Sequence, residues 1–197
     1  GFFSTILGQR QKWIAARNAS MRDLEFPYGE FRSGQRDMAV SVYRAVADDR
    51  QLIIEAPTGI GKTMATLYPS IKAMESSAAS RVFYLSAKTS TQALAQIALK
   101  DLTVAGGSLR SIVITSKGKT CFSPGQPCHP DHCEYAKGYY DQVQDTIDTM
   151  LGEAEHFDRS TIEFAARRDR VCPFELSLDL SRSCDAIIAD YNYVFDP

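Results

Sequence analysis

Apolar positions along the chain alternate between two periods, one helical and one extended. Residues 2–24 carry Phe3, Ile6, Leu7, Trp13, Ile14, Met21 and Leu24 at broadly helical spacing. This predicts an amphipathic helix with some interruption. Phe26-Pro27-Tyr28-Gly29 breaks it, and residues 34–47 then put Met38, Ala39, Val42, Ala45 and Val46 on one face of a second helix. The short apolar run Gln51–Ala56, ahead of Pro57 and Gly59, predicts a buried strand. Helical spacing resumes over 62–76, with Pro69 as an expected kink. Further strands are predicted at Arg81–Leu85, Ser111–Ile114 and Cys184–Ala189, and a helix at 90–102 (Leu94, Ile97, Ala98, Leu102). Strands alternating with helices imply right-handed βαβ units around a parallel sheet, hence an α/β fold with flanking helices.

The stretch from about 117 to 180 breaks that rhythm. It opens with a loop rich in Pro, Gly and Cys and continues with helix-like text at 134–151, 160–169 and 174–181. It reads as a mainly helical insertion between two strands. Between Lys117 and Cys172 it holds seven Lys/Arg and ten Asp/Glu, so it is net acidic. Its best basic patch is Arg167, Arg168 and Arg170. Tyr135, Tyr139 and Tyr140 are candidate stacking residues or, equally, packing residues.

Composition narrows the class without changing this outline. The 197 residues are 44% apolar and 23% charged, with formal net charge −2. That excludes wholesale disorder and a histone-like electrostatic binder, but not a local basic groove. No run approaches the roughly 20 apolar residues of a membrane helix, and no signal peptide is visible. A cytoplasmic setting is the expectation. The first residue is Gly rather than Met, which suggests a processed or excised start.

Residues 56–63 read Ala-Pro-Thr-Gly-Ile-Gly-Lys-Thr. The phosphate-loop pattern is G-x-x-x-x-G-K-[ST]. Gly61, Lys62 and Thr63 match it, and Ala56 replaces the first glycine. Gly59 and Gly61 allow a sharp turn that aims backbone N–H groups, with those of Thr58 and Ile60, at phosphate oxygens. The following helix adds its positive end. Lys62 is expected to reach the β and γ phosphates of ATP, and the Thr63 hydroxyl to ligate Mg²⁺. Upstream, Gln35 in Phe31-Arg32-Ser33-Gly34-Gln35 can both donate to and accept from an adenine edge; by itself the segment also reads as a solvated helix start.

Of five cysteines, Cys184 begins an apolar strand and reads as a core residue. The others are spaced C-x6-C-x4-C-x38-C: Cys121, Cys128, Cys133 and Cys172, the last followed by Pro173. Structural zinc sites usually use tight C-x(2–4)-C pairs. The wider spacing and the proline after the last thiol favour an iron–sulfur cluster. Zinc, completed by His129 or His132, and free thiols remain open.

The phosphate loop and the cysteines, in this order, resemble the iron–sulfur helicases of superfamily 2, the XPD/DinG group, in a bacterial form. Phe31–Gln35, Ala56–Thr63, Tyr84–Gln92, the four cysteines and Asp190–Pro197 carry the resemblance, which covers the chain from about residue 28 to its end. It implies an incomplete RecA-like first motor domain over 28–116 and 181–197 and an iron–sulfur insertion over 117–180; residues 1–27, an N-terminal helical segment or linker, have no counterpart in the resemblance. It implies that Arg32 and Gln35 contact adenine, that Lys88 and Thr89 touch the DNA backbone, and that Asn192 and Tyr193 lie beside the DNA path. It further implies a [4Fe–4S] cluster on the four cysteines and 5′–3′ translocation on single-stranded or forked DNA, within the nucleoid and in DNA repair.

One departure limits the activity. No Asp-Glu-Ala-His follows Pro197's segment, and nothing matches the motifs of a second motor domain. Phosphoryl transfer needs a metal-holding carboxylate, and losing an arginine finger alone costs roughly 10³–10⁵ in rate. The expectation is therefore a monomeric part of an ATP-dependent helicase that binds nucleotide weakly and hydrolyses almost none. The alternatives are a non-hydrolysing, zinc- or iron–sulfur-stapled nucleic-acid-binding module and, more remotely, a small-molecule P-loop kinase.

Overall fold

The computed structural model describes residues 2–195, with side chains from Arg10 onward. The side chains of Phe3, Ile6 and Leu7, and the residues Asp196 and Pro197 quoted above, lie outside the described residues. In chain order the elements are α1 (Phe2–Arg22), α2 (Gln35–Ala47), α3 (Lys62–Ala73), β1 (Val82–Leu85), α4 (Thr89–Val104), β2 (Ser111–Val113) and α5 (Lys117–Thr120). They continue with α6 (Tyr139–Glu153), β3 (His156–Phe157), α7 (Arg159–Arg168), α8 (Pro173–Ser181), β4 (Ala186–Ala189) and α9 (Asn192–Phe195). The fold is α/β. The chain divides into two units, one of residues 1–84 and 88–109, the other of 85–87 and 110–197.

The first unit is helical, with α2 and α4 each lying against α3. Its core is the apolar stripe of each helix: Leu67 and Ile71 of α3, Leu99 and Leu102 of α4, and Met21 and Leu24 at the end of α1, all fully buried. The last carbonyls of α1 need donors from outside the helix. Leu24 N–H serves Met21 O (3.4 Å), and Lys72 Nζ donates to Arg22 O (3.2 Å) and, just past the helix, to Leu24 O (2.7 Å). The buried Arg17 donates to Ser80 O (3.2 Å). Helix α3 runs unbroken through Pro69.

In the second unit β4, β2 and β3 lie side by side in that order. Strand β2 lies parallel to β4, with Ile112 beside Ile187, and parallel to β3, with Ile112 beside Phe157. Ile112, Phe157, Leu176 and Leu180 are fully buried in its core. Two polar ties fix the edges of this core. Arg110 N–H donates to the buried Asp185 (2.9 Å), and Tyr139 Oη donates to Asp179 (2.9 Å). Cys184 is buried, as its strand-edge position predicts.

Three sequence expectations change. Residues 51–56 form no strand; Leu52, Ile53 and Ile54 are exposed, Ile53 to 98%. An extended segment becomes a strand only when a neighbour takes its N–H and C=O groups. Among the described residues no strand lies beside it. Second, the mainly helical 117–180 stretch also contributes a strand that periodicity could not show: β3 joins the sheet edge, and two residues are too few to show a period of two. Third, the helix expected from 134 starts at Tyr139, because turns persist to Gly138, whose φ of 70° a helix interior does not allow. Of the three tyrosines, Tyr139 is buried and Tyr140 is 89% exposed.

The contrast between 51–56 and the helical core is measurable in this chain. Ile53→Ala is expected to change stability by less than about 0.5 kcal/mol, whereas Leu102→Ala costs about 2–5 kcal/mol. Denaturant midpoints of the two variants check this; a comparable loss for Ile53→Ala would mean that the segment is a buried strand after all.

Candidate functional site

The phosphate-loop residues are held from below by the start of α2. Gln35 is 2% exposed, and both ends of its amide are engaged: Oε1 accepts from Arg32 N–H (3.0 Å) and Nε2 donates to Gly61 O (3.2 Å). The exposed Arg32 guanidinium donates to Gly59 O (2.7 Å). These contacts tie the two glycine carbonyls of the loop to one upstream segment. Gly61 has φ 83° and caps α3. A Cβ at Gly61 would also run into the Gln35 amide nitrogen. A buried amide with both ends satisfied is rigid and costly to disturb.

Lys62 opens α3, and its Nζ donates to Ala56 O (3.0 Å) and Pro57 O (2.7 Å). The ammonium thus sits over the loop, held by carbonyls of the same loop. Thr58 and Gly59 are exposed, Ile60 and Thr63 half-buried. Twelve residues of α3 behind the loop place the positive end of a helix at this turn. The structure therefore brings together Arg32, Gln35, Thr58, Gly59, Ile60, Gly61, Lys62 and Thr63. The amide of Gln35, the residue expected to meet an adenine edge, is turned onto the loop in this structure. Nearby, Phe26 stacks on Phe31 (3.9 Å between centroids), and Tyr28 Oη donates to Asp101 (2.6 Å). Burial and that bond push the Tyr28 phenol up to about 12.

The cysteines lie in the second unit. Cys121 ends α5 and Cys172 precedes Pro173 at the start of α8. No cysteine is in a disulfide. Burial pushes the Cys172 thiol up, opposed by backbone N–H groups of Glu175 and Phe174 that bond its sulfur; the Cys121 sulfur lies within electrostatic reach. Lys117, missed in the sequence reading, holds its ammonium more firmly because it hydrogen-bonds Cys128 and feels Glu175 and Cys172. Its place four residues before Cys121, one helical turn away, was the signal available. Cys133 is anchored by its N–H to His129 O (2.9 Å). Among the described residues no three His, Cys, Asp or Glu side chains gather at metal-binding distance. Cys121 lies within electrostatic reach of Cys172, Lys117 hydrogen-bonds Cys128 and also feels Cys172, and α8 begins just after Cys172.

The expected DNA contacts are dispersed. Lys88 caps the start of α4 and Thr89 is its first residue. Arg167 stacks over the Phe122 ring (3.9 Å to the centroid). Arg168 pairs with Asp169 (2.8 Å) and Glu153 (3.6 Å). Asn192 begins α9, its N–H donating to Asp190 (3.0 Å), and burial raises the Tyr193 phenol.

Residues 35–122 match the DEAD/DEAH box helicase family and residues 110–197 match the DEAD_2 family. The chain is also similar to a probable ATP-dependent helicase of Methanocaldococcus jannaschii, 43% identical over 47 residues, which is 24% of this chain and 7% of that protein. The matched stretch therefore spans a small fraction of that relative's length. These likenesses support a place in the helicase superfamily, and the small parallel sheet with flanking helices is consistent with a fragment of a RecA-like motor domain. No helix among the described residues is long and apolar enough to cross a membrane.

Two measurements probe the geometry. Gly61→Ala forces a side chain into a left-handed position, at roughly 1–2 kcal/mol, and displaces Gln35; nucleotide affinity, read by fluorescence titration, is expected to fall about tenfold or more. For Cys172, burial favours the neutral thiol. Its contribution to folding is complete below the unfolded-chain value of about 8.5 and is lost as pH rises through the higher folded value. Alkylation of Cys172 in the metal-free chain, followed by peptide mass spectrometry, should thus be slow at pH 8 and accelerate as pH rises above about 9.

Proposed function

We propose that this chain is the nucleotide-binding and cluster-bearing part of an ATP-dependent DNA helicase that moves 5′ to 3′ on single-stranded or forked DNA. The carrying observation is the loop at α3, where Arg32, Gln35, Gly59 and Gly61 form one bonded unit beneath Lys62. In this reading the loop N–H groups and the α3 terminus receive the phosphates. Lys62 exchanges the carbonyls of Ala56 and Pro57 for β- and γ-phosphate oxygens, and Thr63 holds Mg²⁺. The exchange is favourable because a phosphate offers the ammonium full negative charge in place of two neutral acceptors.

The motor portion runs over 28–116 and 181–197 and the cluster portion over 117–180, preceded by a helical segment over 1–27. Cys121, Cys128, Cys133 and Cys172 hold a [4Fe–4S] cluster, which would supply a rigid cross-link for a loop too polar and proline-rich to build its own core. Lys117 offsets the negative charge of the thiolates. DNA contacts rest on Lys88, Thr89, Asn192 and Tyr193, with Arg168 available only by leaving its carboxylate partners. The setting is the bacterial cytoplasm, at the nucleoid, in repair, and the chain acts as a monomer that requires a second motor domain. With no Asp-Glu-Ala-His sequence of its own, the chain binds ATP without sustained hydrolysis.

The decisive experiment purifies the chain anaerobically and measures metal content and nucleotide binding together. The expected result is about four irons per chain, lost when Cys121, Cys128, Cys133 or Cys172 becomes serine and kept in Cys184→Ser. ATP binding should require Mg²⁺ and vanish in Lys62→Ala. A colourless protein with a single zinc would replace the cluster by a zinc staple, and steady ATP turnover abolished by Lys62→Ala would sink the non-hydrolysing reading.

A further inference from the structure

The loop that carries the first three cysteines begins at Cys121 and returns beyond Cys133. Its two ends are held by one aromatic contact. Phe122 follows Cys121 and Tyr135 lies two residues after Cys133; their rings meet edge-on at 5.0 Å, 66° apart. Phe122 rests on the core of the second unit, and the Arg167 guanidinium lies over its ring at 3.9 Å. Eight residues earlier on the same helix, Arg159 donates to Lys119 O (2.6 Å) while its Nε holds Glu163 (2.6 Å). Helix α7 therefore grips the chain on both sides of Cys121, through Lys119 before it and Phe122 after it.

From this geometry we infer that Arg167, stacked on Phe122 and through it on Tyr135, is a positioning residue that closes the cysteine loop, rather than a DNA contact. The inference rests on the reading that these cysteines hold a metal group. The loop of Pro124, Gly125, Pro127, Cys128, His129 and Pro130 is exposed and cannot hold its ends together by burial. A loop whose ends are already joined loses less freedom when ligands gather. A guanidinium over a ring is attracted to the π face while one edge of the cation stays hydrated. Such a contact can persist at the surface where a buried aliphatic plug cannot form. The same stacking leaves Arg167 engaged, which explains why an arginine in a basic run is a poor choice for a free phosphate ligand.

The test uses the whole chain, without metal, and hydrogen–deuterium exchange read by mass spectrometry. Arg167→Ala is expected to speed exchange of peptides spanning 122–137 by roughly two- to fivefold, the loss of a surface cation–π contact, with the melting temperature unchanged. Arg167→Lys should restore most of the protection, since an ammonium also sits over a ring, and Arg168→Ala should leave these peptides as in the parent chain. In a second arm, anaerobic reconstitution with iron and sulfide, Arg167→Ala should lose iron to a chelator faster than the parent chain by a similar factor. Unchanged exchange over 122–137 in Arg167→Ala, or an equal effect from Arg168→Ala, would overturn the staple itself. A parent chain that takes up no iron would instead overturn the metal reading and the purpose assigned to the staple, while the exchange data report the contact separately.

Discussion

An extended backbone needs a neighbour on which to place its hydrogen bonds, and this requirement sorts the chain. Strand β2 has one on each side, β4 and β3, and both join it in parallel. Residues 51–56, equally apolar, have none among the described residues and remain open, with Ile53 almost fully exposed. The pairing of β2 with β4 also dictates the path of everything between them. The chain leaves β2 at Val113 and must return at Ala186, so α5 to α8 and the cysteine loop lie within that excursion. Parallel neighbours demand such a crossover; here the crossover holds the thiols.

The phosphate loop depends on a smaller constraint of the same kind. Gln35 is buried, and a buried amide must satisfy both its donor and its acceptor. It does so on Arg32 N–H and Gly61 O. The left-handed turn at Gly61 brings its carbonyl within reach and leaves no Cβ in the way. Lys62, next along, holds the carbonyls of Ala56 and Pro57. The loop is shaped by its supports even though the strand expected before it has not formed.

In the second unit, charge decides what is free. Arg168 is engaged by Asp169 and Glu153, and the Asp169 carboxyl is held below its usual range by Arg168 and, more weakly, Thr146. Arg167 is engaged by Phe122, and Arg159 by Glu163 and Lys119 O. A run of arginines in an acidic segment is therefore largely consumed internally. Lys117, on the short helix that ends at Cys121, hydrogen-bonds Cys128 and lies within electrostatic reach of Cys172.

The amino-acid sequence by itself determined much of the local structure. Helical periods marked α1 to α4, α7 and α8, because an amphipathic stripe repeats over enough residues to be read. Gly61, Lys62 and Thr63 marked the loop, because a tight turn with a cation before a helix leaves a compositional trace. The spacing of four cysteines likewise marked a thiol group without geometry. The tertiary structure decided the rest. Whether 51–56 becomes a strand depends on a partner, and a two-residue β3 has no period to read. Whether Gln35 faces a base or the loop depends on burial beside Gly61. Whether Arg167 is free depends on Phe122, 45 positions earlier in the sequence. Each of these outcomes is set by a neighbour distant in the chain, and spacing along one strand of text carries no information about which distant groups will meet.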